Sequence, residues 1–479
     1  MLEAIPDLAA ALKQLKARLP AYQLYHAYAD GQHRLAFATD KFRNTFGSLF
    51  RAFADNMCAG VVDAAADRLV VTGYAIEGVD ATEPEEKRQA SDAWDIWRAN
   101  RMDERAGEVH REALMSGDGY VIVWPGADGA PTIYPNDAAN MTVRYDPETP
   151  GKVMWAAKVW VDDDAGGRLR VNLYYPDRIE KYITRGKAQG LPDHSNNFVP
   201  YEVPGEAWPL QNPYDRVPVF HFATNGRVGR TGRSELADVV PLQDALNKSV
   251  ADMLVAGEYM ALPQRYATGL EVEIDPDTGK PKPLFIPGTD RVWATEGEGV
   301  RFGQFEAADL EPFLQVQAGF RQQIAVVSRT PLHFIIPPAG DWPSGEALKS
   351  AEGAFLKKIR DRQIAFGNVW EDVMRFALQV AGKPDIELDC EWENPAPRDE
   401  LSQANAAVLK SQIGVPDKQL WRELGYNEKQ IEQMLADKEA NAEAFGAQLL
   451  GAFERGDGND DEKPAGRQDA APSRRQKGQ

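Results

Sequence analysis

Two cysteines, Cys58 and Cys390, are the only thiols in this 479-residue chain. Their scarcity excludes a disulfide framework and a cysteine-built zinc site. Long hydrophobic runs are missing as well. Every apolar stretch is broken by Asp, Glu, Lys or Arg, and none approaches the roughly 18 residues a membrane helix needs. The opening Met1-Leu-Glu-Ala-Ile-Pro is acidic where a signal peptide is basic, so synthesis in a cytoplasm is expected. Basic charge is also in deficit: 54 Lys and Arg against 73 Asp and Glu give a formal net charge of −19. A protein that grips duplex DNA neutralises phosphates with clustered cations, and this balance argues against such a grip. It leaves room for a protein that surrounds DNA without holding it.

Catalytic signatures are absent too. No Gly-Lys is followed by Ser or Thr, so there is no Walker loop, and no Gly-x-Ser-x-Gly elbow occurs. The six histidines (His26, His33, His110, His194, His221, His333) form no i, i+3 or i, i+4 pair, so two of them cannot build a helical metal site. Asp275-x-Asp277-x-Gly279 and Asp162-Asp-Asp-Ala-Gly lack the glycine and glutamate of a calcium loop and read as hairpin turns. Gly226, Gly229 and Gly232 lie in Arg227-Val-Gly-Arg-Thr-Gly-Arg, which is not the dinucleotide spacing and reads as a hinge before a helix. The stretch from Gly414 to Ile431 has a helix-turn-helix rhythm. Its second helix carries Glu428, Glu432 and Asp437 against Lys429 and Lys438, a sign that repels phosphate. No catalytic residue, cofactor or metal site is expected.

What is present is scaffold. Phe42–Arg68 and Ala90–Met115 carry apolar residues at steps of three and four, including Phe46, Phe50, Phe53, Met57, Val61, Trp94, Trp97, Ala106 and Val109. After the turn at Gly117-Asp-Gly-Tyr the period changes to two, predicting strands at Tyr120–Trp124, Val153–Val161, Arg168–Tyr175 and Val217–Phe222. A helix is then predicted from a Ser234 cap to Leu262, with Asp244, Lys248 and Asp252 along one face. A second is predicted from Asp309 to Arg329. These would be roughly 43 and 33 Å long. Between them lie Pro- and Gly-rich short strands, too few residues to bury a core alone, so the pair reads as an element that needs copies of itself. A Pro-rich apolar loop, Thr330–Ser344, leads to a Ser344-capped helix reaching Ala381. Small helices at Leu401–Ile413, Lys418–Leu424 and Glu428–Leu450 follow, then a tail of disordered composition after Phe453.

Several stretches carry a resemblance to a known family. They are Tyr25-His-Ala-Tyr-Ala-Asp-Gly-Gln-His, Asp55-Asn-Met-Cys, Trp94-Asp-Ile-Trp-Arg-Ala-Asn, Gly117-Asp-Gly-Tyr-Val-Ile-Val, Gly232-Arg-Ser-Glu-Leu, Pro263-Gln-Arg-Tyr-Ala-Thr-Gly and Trp342-Pro-Ser-Gly-Glu-Ala-Leu. No one of them is diagnostic. Their order, over roughly Tyr22 to Leu435, resembles the portal proteins of tailed bacteriophages of the long-tailed (siphophage) type.

The resemblance implies an α+β portal fold. Residues 1–233 would form a wing (helical 1–116, β-rich 117–224), 234–262 and 309–330 the two stem helices, and 263–308 a small β-containing clip. A tunnel loop would occupy 331–344, a long spine helix and strand 345–397, and a helical crown 398–451, with 452–479 a tail. It implies a homo-oligomeric ring, dodecameric in the virion, through which genomic double-stranded DNA enters and leaves without sequence recognition. Implied partners are the terminase large subunit, which would supply the ATP hydrolysis, the head–tail adaptor, and the major capsid and scaffolding proteins; no membrane is implied. The place of action would be the capsid vertex, after assembly in the host cytoplasm. Implied site residues are His333, Phe334, Ile335, Ile336, Pro337, Pro338, Ala339, Gly340, Asp341 and Trp342 in the tunnel loop. In the stem they are Asp244, Lys248, Asp252 and Arg321, and in the clip Asp275, Asp277, Thr278, Gly279, Lys280 and Lys282. Two alternatives stand beside this: another virion structural protein, such as a capsid or tail subunit, and a multidomain enzyme with a carboxylate-built site.

Overall fold

The computed structural model describes residues 5–40, 44, 55–76, 84–187, 190–226, 231–261, 265–269, 274–277, 279, 299–304, 309–336, 344–396, 400–424, 426, 430–431 and 433–438. The chain divides into two units, 1–396 and 397–479.

In the first unit, α1 (Pro6–Ala29) is followed by α2 (Met57–Ala66), β1 (Val71–Ile76), α3 (Pro84–Ala99) and α4 (Met102–Ser116). The periodic run through 90–115 is thus two helices and not one. Arg101 adopts φ 53°, a left-handed conformation uncommon outside glycine, and turns the chain between them. Both helices then put their apolar residues, Trp97 on one and Met102, Val109 and Ala113 on the other, into the same core.

The β-rich segment is antiparallel throughout. β2 (Asp118–Pro125) lies between β3 (Pro131–Asn136) and β10 (Val219–Ala223). A second sheet runs β4 (Met141–Tyr145), β5 (Val153–Asp162), β6 (Arg168–Tyr174), β7 (Arg178–Thr184) and β8 (Phe198–Pro200), with β9 (Leu210–Gln211) also pairing β7. The period-two signal finds β2, β5, β6 and β10. It misses β3, where the exposed position is the aromatic Tyr134, and β4 and β7, where burial does not alternate: Met141, Thr142 and Val143 are all buried in one, Tyr182, Ile183 and Thr184 in the other. The Asp162–Gly167 stretch is the β5–β6 turn, with Asp162 Oδ1 accepting from Ala165 N at 3.0 Å. α1 lays Leu8, Leu12 and Leu15 on the face of this sheet made by Trp155, Val159, Val171 and Leu173.

Helix α5 runs Val240–Ala261 and α6 Glu311–Ser328, and the short strands β11 (Arg265–Thr268) and β12 (Arg301–Gln304) pair antiparallel. α5 therefore starts later than its expected Ser234 cap. Pro241 has no N–H to give residue 237, so it fits the first turn and would interrupt a helix begun upstream. Ser234 Oγ instead accepts from Leu236 N at 2.9 Å and donates to Met115 O. Asp309 Oδ1 accepts from Glu311 N at 3.0 Å at the start of α6. α7 (Leu332–Ile335) is a single turn. α8 (Gly345–Val380) is 36 residues long, with Ser344 Oγ accepting from Ala347 N. β13 (Leu388–Trp392) returns to pair β1. The second unit contains α9 (Glu400–Gln412) and α10 (Asp417–Glu423). The tail after Phe453 lies outside the described residues.

α8 is the spine of the main core: Phe355, Ile359, Phe366, Trp370, Val373 and Ala377 are all buried at helical spacing. Trp370 meets Trp97 edge-on at 4.9 Å between ring centroids. His110 is fully buried beside them. Its Nε2 accepts from Trp370 Nε1 at 2.8 Å, while Nδ1 pairs with Leu69 O at 3.1 Å, so the neutral ring carries its proton on Nδ1. Burial pushes the His110 pKa down to about 3. The unfolded chain, with an ordinary histidine, takes up this proton near pH 6.5 and the folded chain does not. Between those values this group withdraws stability as pH falls, at about 1.4 kcal/mol per unit; above pH 6.5 it contributes no slope. Urea unfolding midpoints at pH 7 and pH 5 should therefore show the stability gap between wild type and His110→Gln narrowing on acidification. A constant gap would contradict the assigned tautomer and burial.

Candidate functional site

The helix pair α5–α6 carries two kinds of surface. Inward, Leu246, Val250, Ile324 and Ala325 are buried, and Gln317 Nε2 lies 3.5 Å from Met253 Sδ. Outward, α6 leaves Val326 70 % exposed and Val327 45 %, with Leu314 and Val316 also exposed. Val326 and Val327 line, with Leu242, Gln322 and Gln323, an open recess of about 320 Å³. Aliphatic residues this exposed are unremarkable singly, but Val316 and Val327 lie about three turns apart on one side of α6 with Val326 beside them, a row that marks a surface another surface covers.

The four charged residues expected on the helix pair do not share one environment. Asp244 is buried and accepts a hydrogen bond from Tyr28 Oη, to which Arg34 Nε also donates at 3.3 Å. Burial holds its carboxyl above the ordinary range. Arg321 Nη2 donates to Asp55 Oδ2 at 2.6 Å. Lys248 and Asp252 pair with each other one turn apart. Beside Asp244, Gln243 Oε1 accepts from Met57 N at 2.9 Å, and Asn247 bridges Asp55 N (3.2 Å) and His33 Nδ1 (2.7 Å). The polar stripe 243-244-247 is thus a docking face against residues 28–33 and 55–57. Only the one-turn spacing of these residues hints at it in the sequence.

Where α5 begins, three elements are locked by a buried charge cluster. Glu235 accepts from Arg362 Nη2 at 2.8 Å and faces Lys358 Nζ at 3.5 Å, while Lys358 donates to Ser328 O at 2.7 Å. Burial opposes ionisation of Glu235, yet Lys358 and Arg362 outweigh it and hold the carboxyl below its ordinary range. The end of α6, the spine α8 and the lead-in to α5 are thereby joined to one another. Removing one partner of such a buried cluster costs about 3–5 kcal/mol.

The glycines of the two motifs meet here. A Cβ on Gly232 would lie 1.7 Å from Gly117 O, and Gly117 itself has φ +93°. Two backbones cross at a separation only glycine permits. Next to this crossing Asp118 is a hub. Oδ1 takes Gly232 N at 2.9 Å and His221 Nε2 at 2.7 Å, and Oδ2 takes Tyr22 Oη at 2.7 Å and Arg18 Nη1 at 3.3 Å. The Gly226–Gly232 hinge is therefore a tethered crossing at its C-terminal end; Arg227 and Arg230 lie outside the described residues, and Arg233 pairs with Asp238.

The apolar loop leaves a fixed base. His333 Nε2 is 3.1 Å from Glu352 Oε1, Phe334 meets Phe355 edge-on at 5.8 Å, and Arg68 lies over the Phe334 ring. Ile335 and Ile336 are half-buried, and Pro337, Pro338, Ala339, Gly340, Asp341 and Trp342 lie outside the described residues. Between α5 and α6, Asp275 Oδ1 accepts from Asp277 N at 2.9 Å and Gly279 N donates to Asp275 O, with Gly279 at φ +62°, a tight turn. Thr278, Lys280 and Lys282 are outside the described residues.

The family match and the two relatives that follow agree on one class. Residues 54–444 match the family described as phage portal protein, SPP1 Gp6-like. The portal protein of Mycobacterium phage D29 is 26% identical over 417 residues, covering 82% of this chain and 80% of the relative. That of Mycobacterium phage L5 is 25% identical over 414 residues with the same coverage. Among solved structures, a chain from the neck of the native gene transfer agent particle computed with C12 symmetry aligns at TM-score 0.47 and 14% identity. It covers 82% of this chain and 96% of that one.

Proposed function

This chain belongs to the SPP1 Gp6-like phage portal protein family, a structural component of the virion, and from that premise we propose that its copies close into a ring around a DNA channel. The observation that carries the ring is the outward apolar row of α6. Burial of that row against a neighbouring copy, repeated by rotation, gives a heterologous contact that closes. In this reading α5 and α6 are the stem, with Asp244 and Arg321 fixing it to the wing and the Lys248–Asp252 pair on it. The segment 263–308, including Asp275, Asp277, Thr278, Gly279, Lys280 and Lys282, is the clip that meets the terminase large subunit and then the head–tail adaptor. Residues 331–344, from His333 to Trp342, form the tunnel loop, α8 is the spine, and 398–451 is the crown inside the capsid.

The charge supports passage over grip. A ring of chains each at −19 lacks the cation excess that would hold phosphate and stall DNA moving in either direction. Packaging energy then comes from a separate motor, and the portal itself is no enzyme. Negative-stain electron microscopy of the purified full chain tests this: a closed ring with a central hole is expected. A monodisperse monomer at micromolar concentration would remove the stem reading and bring back the carboxylate enzyme.

A further inference from the structure

Three donor side chains from separate parts of the first unit converge where α1 ends. His26 lies in the last turn of α1, Glu112 on α4, and Asp137 just ahead of the short turn Ala138–Asn140. One ligand atom from each falls within 4.8 Å of the others. We propose that His26, Glu112 and Asp137 bind a divalent transition-metal ion, of the class of Zn²⁺ or Mn²⁺, that fastens the end of α1 to the wing.

The geometry suits an ion. A metal roughly 2.0–2.2 Å from each ligand leaves its ligands about 3–4 Å apart, and His26 Nε2 is 3.2 Å from Glu112 Oε1. Asp137 reaches the same centre by a small contraction, which its position at a turn on the surface allows. The carboxylates are already oriented by backbone. Glu112 Oε1, the oxygen that faces His26 Nε2, also accepts from Ala138 N at 3.1 Å, and Asp137 Oδ1 accepts from Ala139 N at 2.6 Å, which leaves the other lone pair of Glu112 Oε1 and the Oδ2 of Asp137 for an ion. Such outer hydrogen bonds are what fix carboxylate ligands at metal centres. Ser116 Oγ, on a buried residue, lies 2.9 Å from His26 Nε2, within the same shell.

The charge points the same way. The charged groups that act on His26 are Glu112, Asp137 and Asp30, all acidic, and those on Asp137 are Glu112 and His26. Two carboxylates face one imidazole with no Lys or Arg among these groups, an arrangement a dication neutralises. An imidazole with two carboxylates selects a borderline metal over Mg²⁺ or Ca²⁺, which prefer all-oxygen shells. Three protein ligands on a partly exposed site leave positions for water, so the ion would be exchangeable. The site does not depend on the ring, since every ligand comes from one chain.

The test is direct titration of the full-length protein with Zn²⁺ and with Mn²⁺, with Mg²⁺ as control, alongside thermal melting. One ion per chain is expected, with melting raised by Zn²⁺ or Mn²⁺ and not by Mg²⁺. His26→Gln and Asp137→Asn should each weaken binding at least about tenfold and remove the melting shift. Asp137→Asn retains the acceptor for Ala139 N on an exposed residue, so it reports on the ion even if His26→Gln unfolds. Stoichiometric binding unchanged in Asp137→Asn would place the ion elsewhere and overturn the proposal. So would wild-type binding no tighter than millimolar, which would leave His26 and Glu112 a plain ion pair.

Discussion

Glutamate at both Val326 and Val327 should yield a folded chain that no longer forms rings. In the isolated chain Val326 is mostly and Val327 nearly half exposed, so the exchange removes little internal contact, and the circular dichroism and melting of the monomer should change little. At a subunit contact the effect is large. Each valine buried there contributes about 1.5–3 kcal/mol, and an unpaired carboxylate forced into the same place costs several kcal/mol more. A loss of about 5 kcal/mol at each contact lowers the association constant by roughly a thousandfold or more. Size-exclusion chromatography with light scattering reads the result. Rings of wild-type mass from the double variant would remove the α6 row from the interface.

Deleting Pro337 to Trp342 should separate assembly from DNA handling. The contacts that anchor the base of this loop, His333 with Glu352 and Phe334 with Phe355 and Arg68, use residues on either side of the deletion and none within it. The outward row of α6 and the Glu235–Lys358–Arg362 lock lie elsewhere, so rings and heads should still form. What is removed is a Pro-stiffened segment ending in Trp342, which in the channel reading touches the duplex sterically with no charge attraction. Phage carrying the deletion should show most heads empty or partly filled, by nuclease-protected DNA and by electron microscopy. A wild-type yield of filled heads would remove the loop from the channel.

Much of the scaffold is legible because it depends on local pattern. The core residues of α8 recur at steps of three and four, and Trp370, Phe366 and Phe355 are buried where that spacing puts them. The alternation in β5 and β6 is clear because one face packs under α1. The broken run 90–115 was not legible. Trp94, Trp97, Met102, Ala106 and Val109 keep a near-helical period across Arg101, and only the need to bring both helices to one core bends the chain there. Pro241 was readable as a first-turn residue, and it outweighs Ser234 as the start of α5.

The sequence by itself determined the class: an acidic chain without nucleotide loop or nucleophile elbow, whose ordered motifs follow the portal series. It could not assign partners to the charged side chains. The i, i+4 spacing of Asp244, Lys248 and Asp252 places them on one helix face, yet Asp244 closes on Tyr28, 216 residues away, while Lys248 closes on Asp252. No pair of histidines has metal spacing, but packing of α1 against α4 brings His26 to Glu112 across 86 residues. Local spacing is written in one element. Which carboxylate meets which cation is settled only when separate elements pack, because burial, not sequence distance, decides which charges must be neutralised.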